Sequence, residues 1–206
     1  GRLIVDGEDL LARGARAHRR FRERIGYLPE AVAFAENLSG LEVLRFFARA
    51  RGVGKARVAE VLEQVGLKEA GRRAVRGYSR GMRQRLGLGV AILHEPELLI
   101  LDEPTGGLDQ QGLSLLWTVL AEWKAAGRRV LLSTHDLALI ERRADRVHVI
   151  AQGRLKASGT PDALRRLAGL AIRVRVAMED MGHAESLAGS LSQDLSVPVD
   201  LGDGEI

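Results

Sequence analysis

With 206 residues, 46% of them hydrophobic and 28% charged, the chain is long enough to bury one core of ordinary size, and these values exclude wholesale disorder. It contains no cysteine, which excludes disulfides and thiolate metal sites. The net charge is only +4, and the arginines between Arg13 and Arg24 and in "AGRRAVRG" (70–77) have no aromatic platform among them. A solvated helical face is therefore expected there, and no nucleic-acid partner. No apolar run approaches the roughly 18–20 residues needed to span a bilayer, and the first residues do not read as a signal peptide. Any membrane role is expected to come through a partner.

In chain order, "GRLIVDG" opens with a short strand pattern, Leu3 to Val5, broken at Asp6-Gly7. After the arginine-rich stretch, "RIGYLPE" (Arg24 to Glu30) reads as a second strand running into a loop at Pro29. Ser39 and Glu42 form a capping box before "LEVLRFFARARG", whose Leu41, Leu44, Phe47 and Ala48 share one face. A second helix is expected near Val58 to Val65, and a third over Ser79 to His94. The strand "ELLILD", a helix from Asp109 to about Ala126, the strand "RRVLLST" and a short helix from Asp136 follow. Two strands with a helix between them signal a βαβ crossover and a parallel sheet, and continuously apolar strands fit helices on both faces. "RVHVIAQGRLKASG" predicts a hairpin through Gln152-Gly153, and Thr160-Pro161 starts a further helix. After Ala168 the pattern changes to the strand-like "LAIRVRVAM", which places a boundary near residue 169.

In open parallel sheets, ligands sit beyond the carboxyl ends of the strands. Asp102 and Glu103 stand at one such end, and Ser133, Thr134 and His135 at another. Side chains alternate along a strand, so one of two adjacent carboxylates can face a metal while the other faces a different atom. A metal-binding acid and a water-orienting acid are what phosphate hydrolysis requires. The alternative is a pair of helix-capping acids after a strand.

The stretch "YSRGMRQRLGLGVAILHEPELLILDEPTGGLD" (Tyr78 to Asp109), followed by "LLSTHD" (Leu131 to Asp136), resembles the nucleotide-binding subunit of ATP-binding-cassette (ABC) proteins. "YSRGM" corresponds to the signature motif, "LLILDE" to the Walker B strand, "GLD" to the D-loop, His135 to the switch histidine and "IGYLPE" to the Q-loop. These motifs stand in family order and cover most of residues 1–168.

The resemblance implies an α/β fold: a P-loop NTPase-like parallel sheet flanked by helices. An α-helical subdomain would occupy about residues 36–93, and a small α+β extension residues 169–206. ATP and Mg²⁺ are the implied cofactors, and hydrolysis of ATP to ADP and phosphate the implied reaction. Glu103 would polarise the attacking water and His135 would contact the γ-phosphate. Asp102 would bind Mg²⁺ through water, with Glu30 as a second metal-side acid. Ser79, Arg80, Gly81 and Asp109 would contact nucleotide. Ser79 and Gly81 sit at a helix start, where free N–H groups and the helix dipole attract anions. In the family that helix end meets the γ-phosphate held by the opposite subunit, so the implied partners are a second nucleotide-binding subunit, as a homodimer, and a transmembrane permease. Such a subunit lies in the cytoplasm, peripheral on the inner face of the membrane.

Several residues depart from the family pattern. Glu30 stands in place of glutamine, and Arg80 and Met82 in place of the usual signature Gly and Gln. An ionised Glu30 can coordinate Mg²⁺ but repels phosphate and donates no hydrogen bond. "YLPE" with "YSRGM" is similar to the exporter branch. "YLPEAVAFAENLSGLEVLRFFARARG" (Tyr27 to Gly52) is most similar to the ATPase subunit of the system that matures the copper sites of nitrous-oxide reductase. No G-x-x-x-x-G-K-[ST] occurs; "GVGKA" (52–56) lacks the first glycine and the final Ser or Thr and reads as a turn between helices. In the family the phosphate loop precedes a strand like "GRLIVDG", so an amino-terminal segment is expected to be missing and the chain alone to be inactive, with a sheet short of strands and prone to associate. The alternatives are a soluble ABC ATPase acting on ribosomes or DNA, and a catalytically incompetent fragment.

Overall fold

The computed structural model describes residues 4–5, 8–9, 21–136, 141 and 143–167. Their contacts fall into two units that divide between Ala138 and Leu139. In the first, β1 (Ile4–Val5) pairs antiparallel with β2 (Glu8–Asp9). The main sheet holds β3 (Ile25–Leu28), β4 (Leu98–Asp102) and β5 (Arg129–Ser133) in the order β3-β4-β5, with both pairings parallel.

Parallel neighbours need long crossovers, and the sequence supplies them as helices. Between β3 and β4 lie α1 (Gly40–Arg51), α2 (Lys55–Gln64), a single 3-10 turn (Val75–Gly77) and α3 (Arg80–Ile92). Between β4 and β5 lies α4 (Gln110–Ala125).

Local chemistry sets the helix ends. At α1 the capping box is complete: the Ser39 N–H donates to Glu42 Oε2 at 2.8 Å and the Glu42 N–H to Ser39 Oγ at 3.3 Å. The Ser39 backbone N–H, followed by its hydroxyl, holds the Glu42 carboxyl below its ordinary range. Gly52, at φ 68°, ends α1 in the left-handed conformation, and Gly54 precedes α2, so "GVGKA" is the expected turn between helices.

The core joins these helices to one face of the sheet. Leu99 and Leu101 of β4 pack with Leu28, with Val43, Leu44 and Ala48 of α1, with Val58, Val61 and Leu62 of α2, and with Leu86 and Ile92 of α3. Leu41 and Phe47 of α1 are half-buried against that core, which completes the face expected from their spacing. The described helices cover this one face. On the other, Tyr27 and Leu131 stand 54% and 56% exposed, so the apolar run "VLLS" is not enclosed from both sides among the described residues. β3 lies close under α3: a Cβ at Gly26 would come within 2.1 Å of the Ala91 carbonyl oxygen and 2.7 Å of Leu99 Cδ2.

In the second unit, β6 (Val147–Ala151) and β7 (Arg154–Gly159) form the expected hairpin. Gln152 and Gly153 both take positive φ, 53° and 69°, as a tight hairpin turn requires. Thr160 Oγ1 accepts from the Ala163 N–H at the start of α5 (Pro161–Leu167). The helix expected after Asp136, the boundary near residue 169 and the extension beyond it lie outside the described residues.

Gly26→Ala forces its methyl group against backbone, so a loss of about 3 kcal/mol is expected from overpacking, against about 1 kcal/mol for Ser39→Ala, which removes one cap. Urea titrations of the two variants check the order; equal losses would refute the close-approach account.

Candidate active site

The register of the main sheet sets Asp102, the last residue of β4, directly beside Ser133, the last of β5. One hydroxyl then serves both acids. Ser133 Oγ donates to Asp102 Oδ1 at 2.5 Å and accepts from the Glu103 N–H at 3.0 Å. Glu103 leaves the strand at φ 44°, in the left-handed region that a non-glycine residue occupies only at a cost of about 1–3 kcal/mol. Its carbonyl accepts from the Gly106 N–H at 3.1 Å, which closes the turn.

That turn carries the Glu103 carboxylate to His135, whose Nδ1 lies 3.0 Å from Oε1. A carboxylate only accepts, so Nδ1 holds the proton and Nε2 is the nitrogen left for other chemistry. The His135 side chain is 89% exposed and that of Glu103 23%. The hydrogen bond that His135 donates to Glu103, and then the charge of Glu103, raise the His135 pKa; burial opposes them, and the charges of Asp136 and Glu30 add the weakest upward effects. Glu30 follows β3, so all three strands of the sheet contribute at their carboxyl ends. Thr134 is committed elsewhere, its Oγ1 accepting from the Asp136 N–H at 3.0 Å.

A second grouping surrounds the start of α3. Ser79 is its N-cap, Oγ accepting from the Met82 N–H at 3.2 Å. A Cβ at Gly81 would come within 2.8 Å of the Gly107 carbonyl oxygen, so helix start and loop meet backbone to backbone. Gly107 takes φ 76°, and a Cβ there would meet Arg80 Cδ at 2.7 Å and Nε at 2.9 Å. The Arg80 side chain thus lies across the loop. Asp109 caps α4, its Oδ1 accepting from the Gly112 N–H at 2.7 Å.

The structure therefore joins Asp102 to Glu103 through Ser133 and Glu103 to His135 directly, with Glu30 acting only as the weakest of the charges on the imidazole. It brings Ser79, Arg80 and Gly81 against the loop at Gly107, while Asp109, two residues on, caps its own helix. The bridging role of Ser133 was the feature not read from sequence; the signal for it is a hydroxyl two residues before the histidine and in register with the acid. For Mg²⁺, the donor set is hard carboxylate oxygen, which suits the ion. Among the described residues no three acidic or imidazole groups form a metal cluster, and Asp102 has one oxygen committed to Ser133. Mg²⁺ at phosphate-transfer sites uses one or two carboxylates beside waters and the phosphates themselves, so these residues fit an ion that arrives with its nucleotide.

In an NMR titration the His135 ring is expected to protonate above the ordinary imidazole value and to fall back toward it in Glu103→Gln. The contribution of this pair to stability is complete below the ordinary value and is lost as pH rises through the raised one. Equal midpoints in the two proteins would show that the contact is absent in solution.

The ABC transporter family model matches residues 1–106. The chain is 39% identical over 187 residues to a daunorubicin resistance ATP-binding protein of Streptomyces coeruleorubidus, covering 89% of this chain and 58% of that one. It is 43% identical over 134 residues to a bacitracin transport ATP-binding protein of Enterococcus faecalis, covering 64% and 44%. The chain thus spans about half the length of such relatives (58%, 52% and 49% in three of them). Among solved structures, an ATP-binding subunit of an ABC transporter matches with a TM-score of 0.70 and 35% identity over 88% of this chain and 74% of that one. A dimeric ATP-binding cassette bound to ADP and phosphate shares the fold at a TM-score of 0.69 and 18% identity, over 76% and 72%. By these matches the chain belongs to the ABC transporter family, and it is similar to that family's ATP-binding subunits.

Proposed function

We propose that the chain is part of an ATP-binding and ATP-hydrolysing subunit that drives a membrane export or copper-protein maturation complex. The observation that carries this reading is the contact between Glu103 and His135 beside Asp102, at the carboxyl edge of a parallel sheet. Glu103 orients and deprotonates the attacking water, and His135, held by that carboxylate, presents Nε2 to the transferring phosphate. Asp102 and Glu30 serve the metal side. Bound Mg²⁺ supplies neutralisation of phosphate charge. The start of α3, with Ser79 and Gly81, is offered to a nucleotide held by a second copy, which makes a homodimer the working unit. Coupling to a permease would place the protein at the inner face of the membrane; among the described residues no helix is long and apolar enough to cross one.

Relatives named for daunorubicin resistance and bacitracin transport support export. The likeness of Tyr27–Gly52 supports maturation of a copper enzyme. Domain limits at 1–168 and 169–206, with a helical subdomain at about 36–93, belong to the same reading. No G-x-x-x-x-G-K-[ST] motif occurs in the 206 residues, so in this reading hydrolysis requires a phosphate loop supplied alongside them, and the chain alone is expected to be inactive.

In full-length protein, Glu103→Gln is expected to lower kcat for Mg-ATP hydrolysis by about 10²- to 10⁴-fold, the usual contribution of a general base, while ATP still binds. Turnover at the wild-type rate would overturn the assignment. Purification from membranes should recover a permease with the subunit; recovery with ribosomes or DNA alone would sink the transport reading. Loss of drug efflux in a deletion strain separates export from copper-enzyme maturation, which would instead leave a copper enzyme without its metal.

A further inference from the structure

We propose that Ser133 is a positioning residue of the hydrolytic site, acting on both acids through a single hydroxyl. The inference rests on the ATPase reading above and extends it to a side chain that touches neither nucleotide nor water in that scheme. Three independent features converge on it. Its Oγ–H is donated to Asp102 Oδ1, which fixes the carboxylate rotamer at the end of β4. Its Oγ lone pair receives the Glu103 N–H, which holds the peptide at the point where Glu103 turns to φ 44°. The parallel register sets the two residues side by side, so no backbone adjustment is needed to reach them.

A hydroxyl is the smallest side chain with one donor and two acceptor sites. Alanine at this position removes both bonds, and valine fills the space without restoring either. The neighbouring hydroxyl does not substitute, because Thr134 Oγ1 accepts from the Asp136 N–H within its own turn. Without Ser133, the left-handed turn at Glu103 has lost the side-chain bond that fixes its N–H, and relaxation of φ swings the carboxylate away from His135. The hydroxyl thus controls two separable properties: how Asp102 presents its other oxygen to a cation, and whether Glu103 meets the imidazole.

The test uses full-length protein with Ser133→Ala, Ser133→Val and Ser133→Thr. Three quantities are read: the Mg²⁺ concentration for half-maximal ATP hydrolysis, kcat against KM for ATP, and the ¹⁵N–¹H signal of His135 Nδ1 at one fixed pH. Melting temperature is followed alongside. Groups that orient metal ligands and catalytic residues cost about 10- to 100-fold when removed. Alanine and valine are therefore expected to raise the Mg²⁺ requirement and lower kcat within that range, with KM for ATP little changed and the Nδ1 signal moved toward free imidazole. Threonine should restore all of them.

Wild-type kcat and an unmoved Nδ1 signal in Ser133→Ala would overturn the proposal. So would failure of threonine to rescue while the fold melts normally. If wild-type protein hydrolyses no ATP but the Nδ1 signal still moves in alanine and returns in threonine, the positioning role stands and the ATPase reading falls.

Discussion

The pairing of β4 with β5 is the constraint on which the rest of the site depends. Two apolar rows hold that register: Leu99 beside Val130 and Leu101 beside Leu132, facing the covered side of the sheet. A slip of one residue would turn every side chain of a strand to the opposite face. Leu99 and Leu101 are fully buried, and each such side chain contributes about 1.5–3 kcal/mol. Non-directional burial thus determines a directional contact at the very next pair, between Ser133 and the acids. The polar chemistry inherits its alignment from the oil beneath it.

Features governed by near neighbours were legible in the sequence. The capping box of Ser39 and Glu42, the cap at Ser79, the cap at Asp109 and the turn at Gln152-Gly153 each need only residues up to three positions away. The strands were legible as apolar runs, and the two acids and the histidine as polar breaks at their ends. What could not be read was anything decided by residues about thirty positions apart. The bond from Ser133 to Asp102 requires knowing which strand lies beside which. The left-handed φ of Glu103 has no local signal, because glutamate does not favour it. The apolar runs signal a parallel sheet flanked by helices, the fold shared with solved ABC structures; among the described residues Tyr27 and Leu131 are exposed, and the runs alone do not say which element packs on each side.

The charge beside the imidazole is chiefly that of Glu103. Glu103 touches His135, and Asp136 and Glu30 add their fields to it. Such a group of carboxylates repels a bare polyphosphate and accepts one that is accompanied by a divalent cation. Glu30, where the resemblance implies glutamine, adds a carboxylate after β3, and Arg80, where it implies glycine, adds a positive charge at the start of α3. The two departures increase the electrical contrast between the acid edge of the sheet and the start of α3.

Where Gly81 meets Gly107, two main chains touch with no side chain between them. Side chains at an interface act as compliant spacers: a rotamer change takes up a displacement of about an ångström and the backbone behind it stays still. Here there is no spacer, and the Arg80 side chain lies against Gly107 of the same loop. The start of α3 and the lead into α4 are consequently a stiff joint, through which a push on one helix appears as a shift of the other with little slack between them.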